Sequence, residues 1–231
     1  MKRILNIAHR GFTRHFPDNT LEAFEAAIRI PVDGIECDVH ETADSRFVIF
    51  HDNAIDGRDI GQMTLRDIGR VKLQEKYRIP TLEQTLELCR GKTLLNIEIK
   101  RVSSLDRFLE LVRERLQPDE VVFSSFNRDI VIELARLAPD IQRGILSAFE
   151  IKDVVGMAKS ASSGMVVARF PSVSNELVRQ VRDAHLMIFV WGCVNMTEVR
   201  NALTMDIDGV ITDFPDEVRE ELIRIYGSEN L

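Results

Sequence analysis

Nine apolar runs of strand length are spaced along the chain, at residues 4–8, 34–39, 47–50, 94–99, 121–123, 143–146, 165–168, 187–191 and 209–211. All but one of the intervals between them can hold a helix. Near-continuous apolar strands alternating with amphipathic helices argue for a parallel sheet covered on both faces, because a strand buried on both sides shows no polar alternation. The exception is the interval 40–46, whose seven residues are too few for a parallel crossover of about a dozen or more. The run 47–50 is therefore expected to return antiparallel, as a hairpin arm on the second strand, with its turn near Ala43, Asp44 and Ser45. Setting it aside leaves eight strands. The pattern predicts an α/β fold, a (β/α)8 TIM barrel formed by residues 1–231 as a single domain. An open doubly wound sheet is the alternative.

Helix starts support the alternation. "NTLE" puts Asn19 in the N-cap position with Glu22 three residues on, and "TLRD", "TLEQ" and "SSLD" do the same for Thr64, Thr81 and Ser103. If the arm's turn is centred near residues 43–44, His51 falls opposite Glu36 and is delivered to the carboxyl end of the second strand.

Bulk properties exclude several classes. With 231 residues, 45% hydrophobic and 29% charged, the chain has the composition of a folded domain rather than a disordered one. The net charge of −7 and the lack of a basic run argue against nucleic acid as a partner. Cys37, Cys89 and Cys193 are odd in number and far apart, as expected of reduced thiols in a cytosol-like compartment. The opening "MKRILNIAHRG" is too short and interrupted in its apolar part for a signal peptide. No run approaches the ~20 apolar residues of a membrane span. A soluble, cytoplasmic protein without stable membrane insertion is expected. A homodimer is compatible with the sequence, and nothing in it forces one.

The chemistry-bearing residues gather at strand ends. In "GIECDVHE", Glu36 and Asp38 are two apart on a strand and share a face, with Cys37 pointing away. In "LLNIEIKR", Glu98 and Lys100 do likewise. Three inward carboxylates at barrel strand ends make an all-oxygen site for a hard divalent cation, Ca²⁺ or Mg²⁺, with zinc less favoured. His9 follows the first strand and His51 closes the arm. Two imidazoles aimed at one carboxylate site read as an acid and base pair. His15, His40 and His185 are read as structural. Arg10 and Lys100 suit an anionic group, although Arg10 can equally support the strand end through an ion pair. Gly11 permits a turn that a side chain would hinder. Trp191 either covers a substrate or packs. Asp213, in "ITDFP", has capping of the next helix as its plainest role.

These segments, from "AHRG" through "PDNTLEAFEAAI", "DGIECDV", "VIFHD", "IPTLEQTLEL" and "LNIEIK" to "FSSFN", "FVWGCVN" and "DGVITDFPDE", together resemble the glycerophosphodiester phosphodiesterase family over nearly the whole chain. The resemblance implies a phosphoric diester hydrolase built on a (β/α)8 barrel with a divalent cation. By resemblance, the catalytic histidines fall on His9 and His51, the metal-binding acids on Glu36, Asp38 and Glu98, the phosphate-contacting residues on Arg10 and Lys100, and the aromatic residue near the glycerol or leaving group on Trp191. It also implies the substrate class: a small-molecule glycerophosphodiester, cleaved to sn-glycerol 3-phosphate and an alcohol. A lysophospholipase D-like or phosphoinositide-type phosphodiesterase, and a non-catalytic barrel that binds phosphodiesters, are the alternatives. The chain departs from the family pattern at Asp18, where Glu is usual, in the segment after His51, at Pro31, where a helix-ending Gly is common, and in "WGCVN", one residue longer than usual.

Overall fold

The computed structural model describes residues 3–148 and 153–227. The strands are β1 (Leu5–His9), β2 (Gly34–Glu41), β3 (Phe47–Ile49), β4 (Ala54–Ile55), β5 (Arg58–Asp59), β6 (Leu94–Arg101), β7 (Val121–Ser125), β8 (Gln142–Ser147), β9 (Met165–Arg169), β10 (Met187–Trp191) and β11 (Gly209–Thr212). The helices are α1 (Leu21–Arg29), α2 (Leu65–Ile68), α3 (Leu82–Cys89), α4 (Leu105–Arg113), α5 (Arg128–Leu137), α6 (Val154–Ser160), α7 (Asn175–Asp183), α8 (Met196–Leu203) and α9 (Pro215–Tyr226). Strands β1, β11, β10, β9, β8, β7, β6 and β2 lie side by side in that order, and β1 pairs back with β2. The pairings around the ring are parallel, so the sheet closes into the expected (β/α)8 barrel and the open sheet is ruled out.

Closure sorts the strand residues into two layers. Inside the ring, Ile7, Leu146, Met165, Val167, Phe189 and Ile211 form one cluster. Outward residues such as Ile35, Cys37, Leu95, Ile97 and Phe123 meet α1, α3 and α4 through Phe24, Leu86 and Phe108. The other half of the shell packs Ile145, Val166, Ile188 and Val210 against α6 to α9. Cys37 thus points away from the interior, and all three cysteines are buried free thiols. Interior packing is tight. A Cβ on Gly209 would lie 2.2 Å from Phe189 Cε1 on the neighbouring strand, so the glycine supplies the space that the ring fills.

The arm is present. Strand β3 runs antiparallel to β2 through Val39↔Ile49, His40↔Val48 and Glu41↔Phe47. This register is one residue away from the expected one, so His51 is not paired with Glu36. The ladder ends at Ile49, and the chain then bends and carries His51 inward by another route. A small antiparallel pair, β4 with β5, was not foreseen. It belongs to a satellite apolar cluster of Val48, Ile55, Ile60, Met63, Ile68 and Ile79, which seats the arm.

Two of the four cap expectations hold. Thr64 with Asp67 and Thr81 with Gln84 form complete capping boxes on α2 and α3. The other two are corrected. Thr20, not Asn19, caps α1, its Oγ1 accepting from Ala23 N. Ser104, not Ser103, precedes α4, because Ser103 donates through both N and Oγ to the buried Glu41 carboxylate. Pro31 follows a helix that ends on extended Ile30 rather than a left-handed residue, as proline requires.

Gly11 has φ +88°, and an added Cβ would sit 2.7 Å from the Ala23 carbonyl carbon. Gly57 has φ +77° with open space around it. Urea unfolding should therefore find Gly57→Ala destabilised by about 1 kcal/mol from backbone strain alone, and Gly11→Ala by roughly 2 kcal/mol or more from strain plus collision. Equal costs at the two positions would contradict this account of Gly11.

Candidate active site

Alternation along barrel strands aims every second side chain inward. On β2 the inward set is Gly34, Glu36 and Asp38, and on β6 it is Leu94, Asn96, Glu98 and Lys100. Inward positions of seven of the eight ring strands, all but β9, line a cleft of about 380 Å³, with His9, Arg10, Glu36, His51, Asn96, Glu98, Lys100, Ser124, Phe126, Leu146, Trp191 and Ile211 in its wall. Apart from Asp38, buried just beneath it, each sequence-predicted site residue is in that wall.

Ligand oxygens of Glu36, Asp38 and Glu98 lie within 4.8 Å of one another, and all three residues are buried. Lys100 Nζ sits 3.0 Å from Asp38 Oδ1 and 2.5 Å from Glu98 Oε1. The Arg10 Nε atom is 3.2 Å from Asp38 Oδ2, and its Nη1 donates to Asp18 Oδ2 at 3.2 Å. Arg10 N donates to Glu36 Oε2 at 3.1 Å. The shorter Asp18 therefore still reaches the arginine. Arg10 makes these ion pairs at the strand end while its charge stays beside the cleft.

Burial, with Asp38 and Glu98 close by, pushes the Glu36 carboxyl well above the usual carboxylate range. Burial and Asp38 raise Glu98 as well. Asp38 feels the same burial, but Lys100, Arg10 and a hydrogen bond from Asn19 outweigh it and hold it low. Burial works against charge on Lys100, yet Asp38 and Glu98 keep it above its ordinary value. Three carboxylates against two cations leave a net negative, desolvated oxygen cluster. Asp38 Oδ1 and Glu98 Oε1 are buried and accept no hydrogen bond of normal geometry. Oxygen-only donors, buried and short of positive charge, fit a hard divalent cation.

The two imidazoles reach the cleft from different elements. His9 closes β1. Its Nδ1 is 2.7 Å from Asp213 Oδ1 and its Nε2 is 4.0 Å from Glu36 Oε2. A carboxylate can only accept, so Nδ1 carries the proton toward Asp213 and Nε2 faces the cleft. Asp213 is partly desolvated, yet the His9 hydrogen bond and charge, with Arg10, draw it below its ordinary value. His51 repeats the arrangement with Asp52, Nδ1 to Oδ1 at 2.8 Å.

Sequence reasoning missed several of these roles. Asp213 is not the helix cap expected, since Phe214 takes that place. Its spacing from Gly209 and Ile211 continues the inward set, and that signal was available. Asn19 has φ +56° and turns inward, donating Nδ2 to Asp38 Oδ2 at 2.7 Å and accepting from Asp38 N at 3.2 Å. Nothing in local sequence marks that turn. Asn96 and Ser124 join through a 3.0 Å hydrogen bond. His40, read as structural, is fully buried with Nε2 3.4 Å from the His51 carbonyl oxygen. Trp191 does line the cleft, its Nε1 donating to Ser147 O at 3.2 Å.

The glycerophosphoryl diester phosphodiesterase family profile matches residues 9–217. A glycerophosphodiester phosphodiesterase of Caldanaerobacter subterraneus subsp. tengcongensis is 30% identical over 232 residues, covering 93% of this chain and 96% of its own. The crystal structure of a glycerophosphodiester phosphodiesterase from Parabacteroides distasonis superimposes with a TM-score of 0.84 at 26% identity, covering 96% of this chain and 99% of that one. An Oleispira antarctica phosphodiesterase, solved in complex with the product sn-glycerol-3-phosphate, shares the fold with a TM-score of 0.88 at 20% identity, over 97% of each chain.

A carboxyl group whose folded-state pKa lies above its unfolded value stabilises fully below the unfolded value, and that contribution is lost as pH rises through the folded one. With Glu36 and Glu98 both raised, metal-free protein should melt lower at about pH 8 than at about pH 5.5. Glu36→Gln should flatten that slope and raise the melting temperature at the higher pH, by about 2–4 °C per kcal/mol of relief. Calorimetry in chelator measures both. An unchanged slope in the variant would contradict the burial of a strained Glu36 charge.

Proposed function

This chain belongs to the glycerophosphoryl diester phosphodiesterase family, and on that premise we propose that it hydrolyses water-soluble glycerophosphodiesters to sn-glycerol 3-phosphate and an alcohol. The carrying observation is the convergence of two imidazoles, each with Nδ1 held by an aspartate, on one cleft beside the cluster of three buried carboxylates.

Glu36, Asp38 and Glu98 are the residues that would hold a divalent cation, Ca²⁺ or Mg²⁺. When bound, the ion offsets the diester's charge and draws electron density from its non-bridging oxygens. Lys100 and Arg10, both kept fully charged by the acids around them, add positive potential at the place where charge builds in the transition state. One imidazole takes the proton from the attacking oxygen, and the other gives a proton to the departing alkoxide. The attacking oxygen is water, or the neighbouring glycerol hydroxyl by way of a cyclic phosphate. Asp213 and Asp52 keep the two Nε2 atoms turned to the reacting group and stabilise each imidazolium as it forms. Trp191 and Phe126 wall the side of the cleft where the alcohol leaves.

A soluble substrate suits the surface. Among the described residues, the exposed large apolar side chains are Phe126, Ile132, Val194 and Ile225. They follow or belong to different strands and helices: Phe126 after β7, Ile132 on α5, Val194 after β10 and Ile225 on α9. No helix of the described residues is long and apolar enough to cross a membrane. We place the protein in the cytoplasm and read residues 1–231 as one catalytic domain.

Release of glycerol phosphate from a panel of diesters, with lysophosphatidylcholine as the lipid arm, tests the reading. Turnover should vanish in EDTA and return with Ca²⁺, Mg²⁺ or Mn²⁺. His9→Ala and His51→Ala should each lower kcat on the order of 10²-fold or more. Near-normal kcat in both variants, or chelator-resistant turnover, would overturn the mechanism. Preference for lysophosphatidylcholine would favour the lipid reading instead.

Asp213→Asn should lower kcat on the order of 10²-fold or more with little change in KM, and should shift the pH–rate profile because imidazolium loses its partner. Asp213→Glu should recover part of the rate. A change confined to KM would exclude a positioning role for Asp213.

A further inference from the structure

Among the described residues, Arg169 is a cation without a counter-ion, and it stands beside Trp191 in the cleft wall. It is the last residue of β9, in step with inward-facing Met165 and Val167, and its register partner on β10 is Trp191. The guanidinium carbon stands 5.7 Å from the centroid of the indole ring. Among the described residues, no carboxylate pairs with it. This sets it apart from Arg10 and Lys100, whose charges are engaged by Asp18, Asp38 and Glu98.

Its position is set by the backbone beneath it. Gly192 has φ +74°, and a Cβ there would lie 3.0 Å from Arg169 Cγ and 3.3 Å from Nε. The arginine stem therefore lies across a bare glycine. The indole is fixed in turn by its hydrogen bond to Ser147 O. Phe126 meets it edge to face at 5.8 Å, and the Phe126 ring has Lys100 Nζ 5.8 Å from its centroid. Aromatic faces bind quaternary ammonium groups through their negative quadrupole. Here both rings that could do so already face a cation of the protein.

The geometry points to Arg169 as a specificity residue: it selects leaving alcohols that carry an acidic group and disfavours cationic ones such as choline. This rests on the function proposed above and names the substrate class for that same cleft. A charge on the leaving alcohol about 6 Å from an unpaired guanidinium, at the partly hydrated rim, changes the rate constant on the order of tenfold, in opposite directions for the two signs.

The experiment compares kcat/KM for three diesters of glycerol 3-phosphate, whose leaving alcohols are choline, glycerol and glycerol phosphate. The wild-type enzyme should prefer the anionic alcohol over choline on the order of tenfold or more. That ratio should shrink as ionic strength rises. Arg169→Gln should collapse the ratio toward unity and remove its salt dependence, Arg169→Lys should keep its sign, and Arg169→Glu should reverse it. A wild-type preference for choline, or a ratio unmoved in Arg169→Gln, overturns the inference while leaving the hydrolase reading intact. If none of the three diesters is cleaved with cation present, the hydrolase reading fails and this inference falls with it.

Discussion

The structure is organised around a charge imbalance that water cannot relieve. Glu36, Asp38 and Glu98 share one buried corner of the barrel mouth, and Lys100 and Arg10 supply less positive charge than the three acids carry. A fold that desolvates like charges at this spacing is held together by the rest of the molecule against their repulsion. Glu36 absorbs most of the conflict, since burial and the neighbouring acids drive it furthest from its ordinary titration. Asp38, tied on three sides by Lys100, Arg10 and Asn19, keeps its charge. The same repulsion that is expected to weaken the metal-free protein is what a bound dication would relieve, so the strain and the proposed chemistry are one property.

Strand alternation converts this constraint into positions. Once the ring closes, the side chain at every second residue of a strand has no choice but the interior, and the last interior places lie at the mouth. Glu36 and Asp38 on β2, Glu98 and Lys100 on β6, Trp191 on β10 and Arg169 on β9 all occupy such places. Lower in the barrel the same parity gives Ile7, Val167 and Phe189, which plug it. The helices outside contribute nothing directly to the cleft. They fix the tilt and spacing of strands whose ends carry it.

Much of this could be read from the chain before any coordinates. The seven-residue gap before β3 forced a hairpin, and the count of eight remaining strands followed. Parity alone put Glu36 with Asp38 and Glu98 with Lys100 on common faces. Legibility failed where a residue's role depends on a partner far along the chain. Asn19 looks like a cap because Glu22 stands three residues on, but its true partner is Asp38, nineteen positions on. Asp213 looks like a cap because it stands between the last strand and the next helix, while its carboxylate answers His9 from the other end of the sequence. Ser103 yielded its capping place to Glu41. Short-range signals describe what a residue can do with its neighbours, and tertiary partners made better offers at these three sites. The arm's register was also one residue off, since turn geometry and not hydrophobic pattern set it.

The arm divides the proposed catalytic apparatus in an unequal way. His9 is built into a ring whose every strand has two neighbours, whereas His51 hangs beyond β3, a strand tied to β2 by three residue pairs and seated on an apolar cluster of its own. One half of the proposed proton-transfer pair is thus fixed by the barrel, and the other rides on a separate module, the arm. Variation in that module can move, tilt or withdraw the second imidazole without touching ring closure.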